Sequence, residues 1–427
     1  MIFPPPVRQG GSGPSRGLVR RCIHDMSSSE KKIWTRAFIT LMAAQIIFFF
    51  GFYMLMPTIP LYTAGLGAND TQVGLIATFF SIASIVTRLS IGFLLQRFSR
   101  KTLLRVGIIV SCLMSAAYVL THGLPGVIIF RVIQGFGFGM VSTFCGAKAA
   151  DALSDEHRGE GMGYFGMGTS AAIAFSPAVG LAIANNMGFV TMFLFSAIVL
   201  VIAAVSVSFV KVPDAGDKRK AKDAPAADAA PKAKDPFWMK FFDPIIAFPA
   251  LLLLLYALCR GAEQNFVPLL AKSQDLIAVL GIYSIVQTAV SFVFKFFTGK
   301  FYDKYGVGSS IVPGGILIVL DMLTLSLTHG PATLILAGVF GGAGLGALIP
   351  AFQAWIMTIV GREKRNLGSA MYYNIYDIGI AIGSVVMGAI SLRLGYFSMF
   401  RICAYIMVLY VIIYFVKTLL FKKKKND

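Results

Sequence analysis

The feature that most constrains this chain is an internal repeat at a constant offset of 207 residues. The stretch Gly74 to Gly161 aligns with Gly281 to Gly368 without a gap. Glycine meets glycine at eight positions, where roughly two such pairs are expected by chance if about a tenth of residues are glycine. The paired glycines are Gly74/Gly281, Gly92/Gly299, Gly107/Gly314, Gly123/Gly330, Gly135/Gly342, Gly137/Gly344, Gly139/Gly346 and Gly161/Gly368. This self-similarity indicates a fold made of two duplicated halves.

The repeated units are hydrophobic spans. The sequence is 56% apolar and 14% charged, with a mean hydropathy of +0.74, which lies outside the range of water-soluble domains. A bilayer core needs about 20 apolar residues per helix, and the run Ile245 to Leu258 lacks the polar face of a soluble helix. Twelve spans are predicted to begin near Ala37, Gln72, Thr102, Leu124, Gly161, Gly188, Ile245, Ile277, Ser309, Pro331, Asn366 and Tyr396. The sequence therefore predicts an all-α polytopic membrane protein of two six-helix pseudo-repeats.

The distribution of lysine and arginine predicts the orientation. Basic residues fill the N-terminal tail, the even-numbered loops and the C-terminal end, whereas the odd-numbered loops hold little beyond Lys272 and Arg393. By the positive-inside rule, both termini are expected in the cytoplasm, with the protein in the plasma or inner membrane of the cell. The net charge of +18 then reflects topology and attraction to anionic lipid, and no nucleic-acid partner is expected.

Two segments have the composition of regions outside the membrane. The first 25 residues lack an apolar signal core and have the composition of a disordered tail, with Met26 as an alternative start. The predicted organisation is a cytoplasmic tail at 1–36, bundles at 37–211 and 245–421, a cytoplasmic linker at 212–244 and a basic tail at 422–427. The five cysteines show no paired spacing, so no disulfide framework, metal site or cofactor is expected.

A repeated loop motif resembles that of a known family. The second span ends in Gly92-Phe-Leu-Leu-Gln-Arg-Phe-Ser-Arg-Lys101, and its repeat partner reads Gly299-Lys-Phe-Tyr-Asp-Lys-Tyr-Gly306. Both resemble the cytoplasmic loop motif of the major facilitator superfamily, Gly-x-Leu-x-Asp-Arg-x-Gly-Arg-Arg/Lys. The resemblance implies two six-helix bundles around a central cavity that work by alternating access. A plain basic anchor at the membrane surface also explains the charges, but it does not explain two copies.

The two copies of this loop differ in charge. The first has Gln96 where the family has Asp, whereas the second keeps the acid as Asp303. Only the second copy therefore retains a carboxylate for an ion pair that forms in one conformation. The candidates for conformational gating in the two loops are Gly92, Gln96, Arg97, Arg100, Gly299, Asp303 and Lys304.

Two further motifs extend the resemblance. Arg131-Val-Ile-Gln-Gly135 in the fourth span resembles the Arg-x-x-Gln-Gly motif of the superfamily. An intramembrane arginine costs about 3 kcal/mol or more unless it faces a cavity or a partner. The fifth span, with Pro177 and Gly180, partly resembles the antiporter motif of drug and metabolite exporters. This segment is expected to pack closely and bend at the interface between the halves, although small residues also serve ordinary helix packing.

Acids inside the predicted spans are the candidates for ion coupling. Asp377 lies twelve residues beyond Arg365, a rise of about 18 Å that places it near the bilayer midplane. Glu263 follows Arg260 by three residues, so a local ion pair is the alternative to a coupling role. Asp321 lies at similar depth in a span that the resemblance places at the periphery. Because the first span contains no acid, proton coupling rests on Asp377 or Glu263, or is absent.

The other intramembrane polar residues divide into structural bases and cavity candidates. Arg88 and Lys295 occupy matched positions of the repeat, one helical turn before the motif glycines, and are expected to pair with neighbours near the cytoplasmic side. The candidates for a substrate cavity are Arg131, Gln134, Gln45, Tyr53, Gln264, Asn265, Tyr373 and Asn374, some of which are expected to bridge helices instead.

The resemblance covers nearly the whole chain after residue 36 and implies a transporter rather than an enzyme. The expected activity is proton-coupled efflux of drug-like or metabolite small molecules by a monomer, with protons, the substrate and membrane lipid as partners. A proton-coupled importer of a small solute stays open, as does a receptor or enzyme on the same scaffold. An ATP-driven pump is disfavoured because the sequence has no Gly-x-x-x-x-Gly-Lys-Ser/Thr loop.

Overall fold

The computed structural model describes residues 34–121, 123–153, 158–208, 244–360 and 365–423. Every regular element in those ranges is helical. The helices are α1 (Arg36–Tyr53), α2 (Leu55–Gly65), α3 (Asp70–Arg97), α4 (Arg100–Ala117), α5 (Leu124–Asp151), α6 (Arg158–Ser208), α7 (Ala247–Ser273), α8 (Ile277–Tyr305), α9 (Gly308–Leu325), α10 (Pro331–Val360) and α11 (Arg365–Lys423). Helices α1 to α6 form the N-terminal bundle and α7 to α11 the C-terminal bundle. Almost all of the predicted linker, and most of both predicted tails, lie outside the described residues.

The helices confirm the all-α membrane fold. Within the described ranges, nine helical segments are long and apolar enough to cross a membrane. Two of them belong to α6 and α11, which contain 51 and 59 residues and are each interrupted at one glycine, Gly188 or Gly395. Helix α7 is not among the nine because Arg260, Glu263 and Gln264 lower its mean hydropathy, yet its 27 residues are enough to span a bilayer. Dividing each of the two long helices at its glycine adds two spans, and α7 adds a third, which gives the expected twelve.

Successive spans run in opposite directions, so the helix ends collect at two faces. Arg36, Arg97 and Tyr305 lie at one face, which we call the terminal face because both ends of the described chain belong to it. Gly65 and Asp70 lie at the other, which we call the opposite face. The predicted span starts agree with the helix starts and the two interrupting glycines to within three residues.

Matched glycines of the repeat make the same helix contact in both halves. A Cβ at Gly135 on α5 would lie 2.5 Å from the backbone oxygen of Phe80 on α3. Gly342 on α10 meets the backbone oxygen of Gln287 on α8, and both residues are the repeat partners of the first pair. In a bilayer, such close approach supplies the van der Waals contact that holds helices together. The repeated glycine spacing therefore specifies the same helix pairing twice.

The repeat also extends to the interruptions of the two longest helices. Gly188 and Gly395 are repeat partners, and their φ angles are 87° and 77° with ψ of 164° and 167°. This combination is open essentially only to glycine. Two membrane spans are thus joined at the opposite face by a single residue rather than by a loop.

The two bundles are in close contact near the opposite face. A Cβ at Gly388 on α11 would lie 2.6 Å from the backbone oxygen of Asp70 on α3. The Asp70 carboxylate accepts hydrogen bonds from the hydroxyls of Ser391 and Tyr396, each at 2.8 Å. Helices α3 and α11 are therefore joined by backbone packing and by a hydrogen-bonded acid at that end. Sequence analysis did not single out Asp70.

Candidate functional site

An ion pair between the two bundles lies at the centre of the candidate site. The Arg88 guanidinium on α3 contacts the Asp377 carboxylate on α11. Both side chains are largely buried, with 12% and 19% of their surface exposed. Arg88 also lies 5.9 Å from the ring centroid of Tyr373 and 3.5 Å from the Ser142 hydroxyl. A buried base and a buried acid stabilise each other only while they are paired, so a change in either charge alters how the bundles fit together.

The repeat partners of this ion pair meet on the other side of the interface. The offset carries Arg88 to Lys295 on α8 and Asp377 to Ser170 on α6. The Lys295 ammonium donates a hydrogen bond to the Ser170 hydroxyl at 3.3 Å. The two bundles thus meet at both pairs of matched positions, but only the pair that contains Asp377 includes an acid. Sequence analysis missed Ser170, although the offset applied to Asp377 points to it.

Arg131 is buried inside the N-terminal bundle. Its guanidinium donates to Gln134 Oε1 at 2.9 Å and lies 4.3 Å from the ring centroid of Phe80. Gln134 Oε1 also accepts from the Tyr118 hydroxyl at 3.0 Å, and Gln134 Nε2 donates to Ser115 at 3.2 Å. The Nε of Arg131 has no hydrogen-bond partner. Within the described residues, these partners are all neutral, so the positive charge of Arg131 is not compensated.

Met56 connects Arg131 to the C-terminal bundle. Its sulfur lies 3.5 Å from Arg131 Nη2 and 3.0 Å from Gln264 Nε2 on α7. A small cleft at this point is lined by residues that include Met56, Thr63, Val73, Arg131 and Asn265. A thioether is a weak hydrogen-bond acceptor. A molecule that brings a stronger acceptor into the cleft therefore receives hydrogen bonds from both Arg131 and Gln264. Two predicted cavity residues, Arg131 and Gln264, therefore do point to one place between the bundles.

The C-terminal bundle contains a buried acidic network. Arg260 Nη1 lies 2.7 Å from Glu263 Oε2, so the ion pair expected from their spacing is formed. The second oxygen, Glu263 Oε1, accepts a hydrogen bond from the Tyr283 hydroxyl at 2.9 Å and another from the Gln287 amide. Only 3% of the Glu263 side chain is exposed. The negative charge of Glu263 is therefore held by one base and by two donors from α8.

Tyrosines from both bundles surround these charges. Tyr53 on α1 lies within electrostatic reach of Arg260, Asp377, Tyr373 and Tyr376. The ring of Tyr53 stacks on the Phe49 ring at a centroid distance of 5.7 Å. Tyr53 and Tyr373, both predicted as cavity residues, thus lie near Asp377, one of the two candidate acids, at the interface.

Other predicted cavity residues bridge helices within one bundle. Gln45 Nε2 donates to Thr169 at 2.7 Å, which ties α1 to α6. Asn265 Nδ2 donates to Ser384 at 3.0 Å, which ties α7 to α11. Asn374 is buried, and its Oδ1 has no hydrogen-bond partner. Among these residues, only Asn265 also lines the cleft beside Arg131.

The first motif loop joins helices of the N-terminal bundle. Arg100 Nη1 contacts Asp151 Oδ2 at 2.9 Å, which ties the start of α4 to the end of α5. Arg97 lies over the Phe93 ring of its own helix at 5.4 Å, and Gln96 is exposed. The structure therefore shows the bases of this loop in contacts inside one bundle.

The second motif loop is more open. Lys304 is exposed and lies 5.0 Å from the ring centroid of Tyr305. A Cβ at Gly299 would meet no atom within 4 Å. The surroundings of Gly92 and of the Asp303 side chain lie outside what the structure describes.

The fifth-span motif packs against the first span of its own bundle at Gly180. A Cβ at Gly180 would lie 2.7 Å from the backbone oxygen of Met54, at the junction of α1 and α2. The helical angles of α6 are interrupted at Gly188 and not at Pro177. The expected close packing is therefore seen at Gly180, and Ser170 on the same helix contacts Lys295 of the other bundle, whereas the bend stays a prediction.

Relatives and solved structures resemble this chain along most of its length. A staphylopine export protein of Staphylococcus aureus is 25% identical over 390 residues, covering 89% of this chain and 96% of that protein. A bacillibactin exporter of Bacillus subtilis is 25% identical over 406 residues, covering 91% and 98%. The fold resembles that of a nucleoside transporter, with a TM-score of 0.71 at 12% identity, covering 91% of this chain and 100% of that one. An inward-facing, unoccupied bacterial homologue of the human lysosomal transporter Spinster gives 0.69 at 15% identity, covering 91% and 97%.

The family follows from a match to both halves. The sequence profile of the Major Facilitator Superfamily matches residues 41–332 and 252–427, which together include both bundles. The repeated loop motif and the helix order agree with that match. The chain belongs to the Major Facilitator Superfamily, and it is a multi-pass transport protein for small molecules rather than an enzyme.

Proposed function

We propose that this protein exports a drug-like or metabolite molecule by alternating access and that a proton gradient drives the export. The observation that carries the proposal is the Arg88–Asp377 ion pair, which joins the two bundles across their interface. The relatives named as exporters of staphylopine and bacillibactin support the direction of transport. Alternating access requires the bundles to separate on one side at a time, and a titratable link between them couples that separation to protons.

Protonation of Asp377 is the proposed switch. A neutral carboxyl no longer compensates the buried Arg88 guanidinium, so the bundles gain less from remaining in contact at this point. Loss of the proton restores the ion pair and draws α3 and α11 together. The matched contact between Lys295 and Ser170 has no acid to titrate, so the switch is confined to one side of the interface.

We further propose that the terminal face is cytoplasmic. Arg36, Arg97 and Arg100 all lie at that face, as the positive-inside rule requires of the cytoplasmic side. The close contacts of Asp70 with Gly388 and Ser391 then seal the outer side.

The charges between the bundles favour a substrate with negative charge. The bases near the interface are Arg88, Arg131, Arg260 and Lys295, and the acids are Asp70, Asp377 and Glu263. This positive balance, counted over the described residues, attracts anions into a region with little water to screen them. Arg131, whose partners are neutral, is the base we propose to contact the substrate.

A transport assay in oriented proteoliposomes with an imposed pH gradient tests the proposal. A panel of anionic, neutral and cationic metabolites and dyes is offered in turn. We expect an anionic compound to accumulate in the direction opposite to proton flow and a protonophore to abolish the accumulation. Accumulation in the same direction as proton flow would establish an importer instead, and accumulation insensitive to the protonophore would remove the proton coupling.

A further inference from the structure

A second buried acid in the C-terminal bundle forms no hydrogen bond with any residue that the structure describes. The Asp321 side chain on α9 is 0% exposed, and neither of its carboxyl oxygens has a hydrogen-bond partner. Asp377 contacts Arg88 across the bundle interface, and Glu263 has a base and two donors within its own bundle. Asp321 is therefore the one intramembrane acid of these three that the described structure leaves without compensation.

The groups around Asp321 cannot neutralise a second carboxylate. The titratable and charged groups within its electrostatic reach are Glu263, Arg260, Cys403, Cys259 and Tyr283. Arg260 supplies the only positive charge among them, and it contacts Glu263. An unpaired carboxylate in an apolar interior costs several kcal/mol, and such a group becomes neutral instead. The geometry points to Asp321 as an occluded proton-binding site that holds a proton in this conformation.

The helix packed against Asp321 has space for this side chain. A Cβ at Gly341 on α10 would lie 2.7 Å from Asp321 Oδ2 and 3.1 Å from Gln287 Nε2. The repeat partner of Gly341 is Gln134, whose amide forms hydrogen bonds with Tyr118, Arg131 and Ser115 in the N-terminal bundle. The repeat partner of Asp321 is Met114. The C-terminal bundle thus has a buried carboxyl group beside the glycine that stands where the N-terminal bundle has an amide.

The proton on Asp321 is linked to the interface through one residue. If Asp321 loses its proton, two carboxylates compete for Arg260, and Glu263 no longer holds that base alone. Arg260 lies within electrostatic reach of Tyr53 on α1 of the other bundle. Occupancy of the site is therefore transmitted towards the space between the bundles. The site itself stands without any assumption about transport, whereas its use in coupling rests on the proposed function.

Infrared difference spectroscopy of the purified protein at neutral and alkaline pH tests the site without substrate or gradient. We expect a C=O stretching band of a protonated carboxyl in the wild type, and we expect Asp321→Asn to remove it. Asp275→Asn, which changes an exposed acid outside the bundles, should keep the band. Persistence of the full band in Asp321→Asn, or its absence from the wild type, would overturn the proposal.

An isotope measurement keeps the test decisive if Asp321→Asn does not fold. Wild-type protein grown with carboxyl-¹³C aspartate should show a shifted band, and Asp377→Asn should show the same shifted band, because Asp377 is ionised in its pair with Arg88. A band that does not shift belongs to a glutamate and contradicts the assignment, as does a band that disappears in Asp377→Asn. A wild type that shows the shifted band but no pH-driven transport would overturn the proposed function and leave the site intact.

Discussion

The two bundles hold their buried arginines in different ways. In the N-terminal bundle, Arg131 donates to the neutral amide of Gln134, whereas in the C-terminal bundle Arg260 pairs with the carboxylate of Glu263. The contacts of Gly135 and Gly139 on α5 are nonetheless repeated by Gly342 and Gly346 on α10. A glycine packed against a backbone oxygen cannot be replaced without moving a helix, but a polar side chain can be exchanged within the space it occupies. Duplication therefore preserved the scaffold and let the two halves diverge in charge.

The largest expected effect of this difference concerns Asp377. Asp377→Asn removes the acid from the link between the bundles, and we expect pH-driven accumulation to fall by about tenfold or more. Downhill exchange should continue, because neutral Asn resembles protonated Asp. Uptake with and without a pH gradient separates the two quantities, and Asp275→Asn is the matched control. A variant that still accumulates substrate while Glu263→Gln does not would transfer the coupling role to Glu263.

The two arginine centres should also differ in their contribution to stability. Glu263→Gln leaves Arg260 buried without its counter-charge, which we expect to cost about 3–5 kcal/mol. Gln134→Ala removes three hydrogen bonds, one of them donated by Arg131, but no counter-charge, and should cost about 1–3 kcal/mol. The thermal unfolding midpoints of the two variants, measured in the same detergent, show which substitution destabilises the protein more. Equal losses would mean that Arg260 has found another anion and that the contrast between the bundles is wrong.

Ser170→Asp restores the missing acid to the second contact between the bundles. Lys295 already reaches this position, so a second ion pair should form and favour the conformation described here. We expect transport to slow by about fivefold, with a higher thermal midpoint. Ser170→Ala, which adds no charge, is the control. A faster rate, or an unchanged midpoint, would show that the lysine does not pair with the new acid.

The smallest expected effect lies in the two motif loops. Asp303→Asn removes the acid retained by the second copy, and we expect about a twofold loss of rate. Gln96→Ala in the first copy should change the rate less, because Gln96 is exposed and carries no charge. Transport rates are compared at equal membrane expression. A larger loss at Gln96 would place the gating contact in the first loop instead.

The sequence predicted the helices well because their signals are local. Hydrophobic length and the glycine offset located the spans to within three residues, and the helix-to-helix contacts at Gly135 and Gly342 follow from the same offset. The spacing of Arg260 and Glu263 offered a local ion pair as the alternative to a coupling role, and that pair is formed. The contacts of Arg88 with Asp377 and of Lys295 with Ser170 join residues 289 and 125 positions apart. Such pairings depend on the rotation of each helix, which one sequence without its fold does not determine.

The two glycine joints have a mechanical consequence. Because Gly188 and Gly395 each connect two spans through one residue, there is no slack chain at the opposite face to absorb a displacement. When the span of α11 that contains Asp377 tilts, the span after Gly395 has to move with it. The duplicated chain contains two such joints, one in each half, and both lie at the opposite face. A flexible peptide inserted at either glycine would therefore let the two joined spans move independently of each other.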